Sequence, residues 1–416
     1  MLAISVLLLA YVYAGYPALI GLWARLRPRP VRKGPFAGGV AVLIAAHNEA
    51  DALPRKLDNL LDLARTEPIR EIWIGLDGCT DGTASRVREK IRSANVQHPI
   101  SDVQGGAEAG PAVGGQRSDD PPATGNRQPE PAIHLLEFET RRGKAAVLND
   151  LMGPAAQPIF VMMDARQRVE PGAVSKLLEN FADAQVGAVS GELVYETTAG
   201  AAQKGAASYW GYEKSIRLSE SRTWAVPGAT GALYAVRKDL CGPIPENTLV
   251  DDVLIPMRAV LKGYRCLFEP AARVFDLPTG RFGQEGLRKR RTLAGIWQLA
   301  ALEPRFFSFR ANPIAFQWIS HKFLRLLTPF FVLAALVSLA GMAWEGQQEA
   351  QVLLGGAGIG ILASLSAFLG GKRIQSRILG LLGAFFGVNW SLLQAAWDAV
   401  RGRYVAQWQR SGSEIP

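Results

Sequence analysis

The sequence predicts an α/β domain built on a mostly parallel sheet and held between membrane-spanning helices. Short apolar runs of strand type alternate with polar turns and amphipathic stretches, the sequence form of βαβ units. Four stretches, 1–24, 326–344, 350–371 and 378–397, contain no charged residue, and runs of about 20 such residues match the hydrocarbon thickness of a bilayer. Aspartates recur just past the buried runs, at the edge where an open parallel sheet takes its ligands.

Composition narrows the class. The 416 residues carry 46 Lys+Arg against 37 Asp+Glu, a net charge of +9, and 48% are hydrophobic. Outside the four charge-free stretches, charged residues return to about 25% of positions, the ordinary level of a soluble domain. A fully soluble chain is therefore excluded, as is a transporter made mostly of spanning helices. Run 1–24 has no basic residue before it and is followed by Arg25, Arg27, Arg29, Arg32 and Lys33. It is expected to be an uncleaved anchor with its N-terminus outside and its basic flank in the cytoplasm. Juxtamembrane side chains, including Lys322, Arg325, Lys372, Arg373 and Arg377, are expected to meet anionic membrane lipids. No nucleic-acid partner is expected, because no basic face interleaved with aromatics is present. Cys79, Cys241 and Cys266 are scattered, with neither zinc spacing nor a disulfide framework, and suit a reducing cytoplasm.

The elements follow in order. Residues 39–46 and 71–76 read as buried strands, each followed by a polar turn and a helical pattern, over 51–64 and 84–94. Residues 98–132 are rich in Gly, Pro, Gln, Asp and Ala, and are expected to be a disordered insertion. Strands resume at 133–138, 158–163 and 187–190, with helices at 144–151 and 171–181. Residues 200–300 change character, with Trp210, Tyr212 and Trp224 near charged residues, a Gly-rich turn at 228–231, and a helix starting after Asp251-Asp252. The expected organisation is an anchor at 1–24, a catalytic domain at 38–300, an interfacial segment at 301–322, a membrane region of two or three helices at 323–398, and a basic tail at 399–416.

Carboxylates past successive strands, Asp77, Asp81, Asp164, then Asp251 and Asp252, can hold a hard divalent cation or a ribose hydroxyl. Asp77 and Asp81 fit equally as caps of a turn and the next helix. Asp251 or Asp252 fits equally as a helix N-cap.

Three motifs carry a family resemblance. Ala45-Ala46-His47-Asn48-Glu49 looks like P-x-Y-N-E, Asp77-Gly78-Cys79-Thr80-Asp81-Gly82-Thr83 is similar to D-G-S-T-D-G-T, and Gly143-Lys144-Ala145-Ala146-Val147-Leu148-Asn149 looks like G-K-x-x-A-L-N. In this order and spacing they resemble the membrane-bound glycosyltransferase family 2 enzymes, relatives of cellulose, hyaluronan and poly-N-acetylglucosamine synthases. The resemblance implies a GT-A-type sheet, a nucleotide-sugar donor held by Glu49, Asp77 and Lys144, and a divalent cation, Mg²⁺ or Mn²⁺, on Asp164. It places Asp252 as general base, with Asp251 beside it, and Gly228, Thr230 and Gly231 on the acceptor side.

Two departures stand out. The family's D-x-D reads Asp164-Ala165-Arg166, so a guanidinium replaces one carboxylate; Arg166 fits a phosphate contact or a solvated salt bridge. The processive Q-x-x-R-W reads Arg288 to Thr292 and keeps only Arg291, which fits the leaving diphosphate or a lipid headgroup. The resemblance thus implies an inverting transferase acting at the inner membrane with its catalytic domain in the cytoplasm. Its donor would be a nucleotide diphosphate sugar, UDP-linked by expectation, and its acceptor a polysaccharide or lipid-linked hydroxyl. Two alternatives are a single-addition glycolipid transferase and a non-catalytic nucleotide-sugar-binding subunit of an export complex.

Overall fold

Val40–Ala46 (β1) is apolar at every position because both of its faces are covered. Val40, Val42, Ile44 and Ala46 pack on one side with Leu53, Leu57 and Leu60 of Ala52–Ala64 (α2). Ala41, Leu43 and Ala45 pack on the other with Val147, Leu148 and Leu151 of Lys144–Met152 (α4). The computed structural model describes residues 1–93, 101–104, 129–195, 201–276, 282–370 and 377–402. The remaining strands are β2 (Ile69–Asp77), β3 (Ser101–Gln104), β4 (Ala132–Phe138), β5 (Ile159–Met163), β6 (Arg168–Val169), β7 (Val186–Tyr195), β8 (Leu233–Arg237) and β9 (Arg265–Asp276). Helices α3 (Thr83–Ser93), α5 (Ala173–Leu178), α6 (Ala201–Thr223), α7 (Asp251–Leu261) and α8 (Phe282–Leu302) complete the domain.

The sheet runs β3-β4-β2-β1-β5-β8-β7-β9-β6. Among the described residues, β3, β4, β2, β1 and β5 are parallel, as are β7 and β9, while β8 is antiparallel to both neighbours and β6 to β9. The mixed α/β, mostly parallel architecture is thus the expected one. Three elements were not foreseen. β9 contains Pro270, and its pairing with β7 shifts register between Ser190 and Glu192, so a broken pattern hides a long strand. β8 follows directly on the Gly-rich turn, and α6 has no clean apolar face. Of the expected disordered insertion, Ser101–Gln104 forms an edge strand that gains order from backbone pairing with β4. Composition arguments weigh buried apolar surface and miss that contribution. Residues 105–128 lie outside the described ones.

On the membrane side, Leu2–Leu26 (α1) is long and apolar enough to cross a bilayer, as is Gln348–Leu369 within α11 (Gln348–Gly370). Ala315–Leu326 (α9) and Thr328–Trp344 (α10) meet at 59° and make a third crossing if counted as one broken span. The last run, α12 (Arg377–Val400), is fixed to the domain at its C-terminal end. Asp398 accepts two hydrogen bonds of 2.6 Å from Arg290 on α8, and Leu392 and Ala395 join the domain core. Residues 403–416 of the expected basic tail lie outside the described residues.

The anchor does not end at the membrane. Val12, Tyr16, Ile20 and Ala24 form a buried stripe at helical spacing, and Tyr16 and Ile20 pack with Ile216 of α6. The Tyr16 hydroxyl donates to Glu220 on α6 at 2.5 Å, and Tyr212 donates to the Tyr13 carbonyl at 2.8 Å. Past α1 the chain becomes a docked strap. The Arg29 amide donates to the Arg222 carbonyl, the Gly34 amide to the Glu179 carbonyl, and Lys33 pairs with Glu269. Arg265, 1% exposed, donates to the carbonyls of Trp224, Pro30, Arg29 and Ser221 at 2.9–3.3 Å. Arg29 and Arg265 both lie over the Trp224 ring. Trp224 and Tyr212 therefore tie the anchor to the domain; the Trp210 side chain lies outside the described residues.

Hydrogen bonds from a charged donor are worth about 1.5–3 kcal/mol each, so Arg265→Leu should free the strap. Limited trypsin digestion in detergent is expected to cut after Arg32 and Lys33, the strap's basic residues not followed by proline, at least tenfold faster in the variant, with the domain core still resistant.

Candidate active site

The C-terminal ends of β1, β2 and β5 bring their polar turns to one sheet edge. Asn48, at φ +54°, is the non-glycine residue in the left-handed region among those described, a conformation Asn tolerates. Its side chain accepts from the Thr80 amide at 2.8 Å and so locks the first turn to the second. His47 Nδ1 donates to the Asp77 carbonyl at 2.5 Å, a second tie between them. Asp81 accepts from the Thr83 amide at 3.1 Å, so the capping role holds for it.

Asp77 is 1% exposed, and both of its oxygens are engaged. Oδ1 accepts from the Arg142 amide at 2.6 Å and Oδ2 from the Gly143 amide at 2.9 Å. Gly78, at φ +57°, lies so close to the same loop that an added Cβ would come within 2.7 Å of the Arg141 nitrogen. In this structure the Asp77-Gly78 pair shapes residues 140–143 and thereby delivers Lys144. Gly75 lets α4 approach β2, since a Cβ there would meet Val147 at 2.3 Å.

Lys144 is the centre of the site. Its ammonium lies 3.1 Å from Asp164 Oδ1 and 3.3 Å from Asp251 Oδ2, and its side chain is 12% exposed. Those two oxygens are therefore within roughly 6 Å of each other, where like charges at an effective dielectric of about 20 repel by about 3 kcal/mol. A Cβ on Gly231 would lie 3.3 Å from Asp252 Oδ2, 3.6 Å from Asp164 Oδ2 and 3.6 Å from the Lys144 ammonium. Only a glycine leaves that space to a substrate. The Asp164 and Asp251 carboxylates hold the ammonium charged, with its pKa well above the ordinary lysine value despite burial.

Asp252 opens α7 but is not a simple N-cap. Its Oδ2 accepts from the Gly231 amide at 2.9 Å, and its carbonyl accepts from the Ala229 amide at 2.8 Å. The carbonyl is available because Pro256, four residues on, has no N–H to claim it. Burial, then the neighbouring Asp251, push the Asp252 carboxyl up to about 6, against the opposing pull of Lys144. The loop over it is held from behind. Ser190 Oγ, on β7, accepts from the Thr230 amide at 3.0 Å and from Arg217 at 2.7 Å. Gly228, at φ +114°, packs on Val253, 3.1 Å from an added Cβ.

Two expected nucleotide-binding residues pair with each other, Arg166 Nε donating to Glu49 Oε1 at 2.6 Å. Arg291 reaches the acid cluster from α8, its Nη2 3.5 Å from the Leu249 carbonyl. The cluster thus gathers Lys144, Asp164, Gly231, Asp251, Asp252 and Arg291, with Glu49 and Arg166 alongside and Asp77 behind. Ser190 and Arg217, which hold the loop over Asp252 from behind, belong to no motif and leave no signal in the sequence.

A divalent cation shared with a diphosphate takes one or two protein carboxylates, with phosphate and water oxygens as its other ligands. Asp164 fits that role, being 37% exposed with Oδ2 facing Gly231. Arg166 cannot ligate a cation. Among the described residues no group of three or more His, Cys, Asp and Glu side chains is placed to make an all-protein site.

Residues 159–353 match the family described as glycosyl transferase family group 2. The chain is 24% identical over 265 residues to poly-β-1,6-N-acetyl-D-glucosamine synthase of Staphylococcus aureus strains MSSA476 and MW2, covering 62% of this chain and 52% of each relative. The chain thus spans about half the length of these relatives. Among solved structures, the mannosyltransferase PcManGT from Pyrobaculum calidifontis, in complex with GDP-Man and Mn²⁺, superposes with a TM-score of 0.66. It is 23% identical, over 96% of this chain and 99% of that one. The shared GT-A fold is the content of that likeness.

Two outcomes follow from this geometry. In Lys144→Met the carboxylates lose their counter-charge. Its melting temperature should fall below wild type by more at pH 8 than at pH 5, where the Asp252 carboxyl, pushed up to about 6, is protonated. In Pro256→Ala the new amide competes for the Asp252 carbonyl. Hydrogen exchange at Ala229 should quicken severalfold while the helix is unchanged or firmer.

Proposed function

We propose that the chain, whose residues 159–353 match glycosyl transferase family group 2, moves a sugar from a nucleotide diphosphate sugar to an acceptor hydroxyl at the membrane face, with inversion at the anomeric carbon. The observation that supports this most is Asp252. It is a carboxylate anchored by one oxygen to the Gly231 amide, beside a glycine that leaves room for a sugar.

In this reading Asp252 takes the proton of the acceptor hydroxyl as its oxygen attacks the anomeric carbon. The C–O bond to the diphosphate breaks on the opposite face. A single displacement by one base inverts the centre. The Gly231 amide keeps Asp252 in register, and Lys144 holds Asp164 and Asp251 close to each other. A divalent cation held by Asp164 would supply charge neutralisation to the leaving diphosphate. Glu49, paired with Arg166, and Asp77, through the 140–143 loop, shape the nucleotide side. Gly228, Thr230 and Gly231 shape the acceptor side. The α1 anchor and the α8–α12 contact support catalysis against a bilayer, with the domain on the cytoplasmic face. Loss of both the Gln and the Trp of Q-x-x-R-W favours single addition to a lipid-linked acceptor over processive synthesis. Product length with one labelled donor separates the two.

The purified chain should release nucleotide from one donor in a screen beginning with UDP-linked sugars, in the presence of Mn²⁺ or Mg²⁺. Asp252→Asn should lower transfer by about 10²–10⁴-fold with nucleotide affinity within about twofold. A base must be ionised, so wild-type turnover should fall about tenfold per unit as pH drops below about 6. Turnover surviving in Asp252→Asn removes Asp252 from the role, and absence of transfer or hydrolysis with every donor removes the enzyme reading.

A further inference from the structure

We propose that Arg141 and Arg291 form a two-sided clamp for the donor's diphosphate. The proposal rests on the transferase reading and assigns a residue, Arg141, that the motifs do not. Nε and Nη2 of Arg141 and Nε of Arg291 are sealed from solvent and have no hydrogen-bond partner. Buried polar groups are paired in over about 90% of cases, and an unmet one costs about 1–3 kcal/mol, more when charged.

None of the carboxylates of the neighbourhood hydrogen-bonds to these atoms, although Asp251 Oδ2, 3.3 Å from Lys144, is itself without a hydrogen-bond partner. Asp77 is taken by two amides, Asp164 and Asp251 by Lys144, and Asp252 by the Gly231 amide. The two guanidiniums nevertheless share one field. Asp251, Asp164 and Asp252 attract Arg291, Asp77 attracts Arg141, and Arg141 repels Arg291. Two like-charged forks with unmet donors at the rim of an acidic cluster match an anion with several oxygens, and a guanidinium fork meets phosphate oxygens in pairs.

The framework beneath Arg141 is specific. Asp77 fixes the amides that follow it, and Gly78 has no Cβ because the Arg141 backbone nitrogen occupies that space. Arg291 is set by α8 against the Leu249 carbonyl, just before Asp251. The clamp also accounts for a chain that tolerates Arg166 where a second carboxylate would bind a cation. Positive charge on the diphosphate then comes in part from the protein.

The test uses the full chain in detergent and titrates inorganic pyrophosphate calorimetrically, with and without Mn²⁺. Arg141→Met is expected to weaken pyrophosphate at least 30-fold in both conditions. Arg141→Lys, which keeps the charge and loses the fork, should weaken it at least fivefold. The melting temperature of Arg141→Met should be equal to or above wild type, because two buried donors without partners are removed. Arg141→Lys carries the test if the Met variant does not fold. Equal pyrophosphate affinity in wild type and variants, or none in wild type, overturns the clamp. Transfer with an unchanged donor KM in Arg141→Lys overturns it too and leaves the transferase reading intact. Pyrophosphate binding that depends on Arg141, in a chain that transfers no sugar, supports the clamp and removes the transferase reading.

Discussion

One ammonium group among three carboxylates sets the terms for the rest of the site. Lys144 reaches Asp164 from the end of β5 and Asp251 from the start of α7, with Asp252 next to it, segments nearly ninety positions apart. Without that charge the acids would repel one another by about 3 kcal/mol at these separations. Much nearby geometry serves to deliver the ammonium. Gly75 permits the close approach of α4, and Asp77 and Gly78 shape the loop before it.

Asp252 is placed by a different device. A proline inside a helix ordinarily disrupts it, since the carbonyl one turn back loses its partner. Here that carbonyl belongs to Asp252 and is claimed by the Ala229 amide, while the Asp252 side chain takes the Gly231 amide. Backbone and side chain of one residue thus hold the same loop, and Ser190 with Arg217 holds it from the other side. The elevated Asp252 carboxyl is the electrostatic result of enclosing it this way.

The legible parts of the fold share a physical cause. β1, β2 and β5 are buried on both faces, so they read as continuous apolar runs, and the polar turns after them stand out. α6 could not be read so. Its Glu213 and Glu220 are buried against His321 and Arg325, about a hundred positions away, and partners at that distance leave no local pattern. β9 was hidden by Pro270. Asp77 stands at the strand end read from the sequence, but its two oxygens are committed to the backbone of residues 142 and 143. Trp224 and Tyr212 were noticed as aromatics near charges, but which surface they face depends on the strap and on α1. The basic run 25–33 was assigned to lipid by its charge, whereas its backbone is docked along the domain.

That strap has a mechanical meaning. A catalytic domain on a loose tether samples a range of heights and tilts above its anchor. Here residues 29–34 are bonded to α6, to the Glu179 turn and to the buried guanidinium of Arg265, and α1 itself packs on α6. The sheet edge bearing Asp252 therefore keeps one distance and one attitude relative to α1. Under the proposed function such an arrangement is a depth gauge: an acceptor would be chosen by how far its hydroxyl stands from the plane of the anchor as much as by its chemistry.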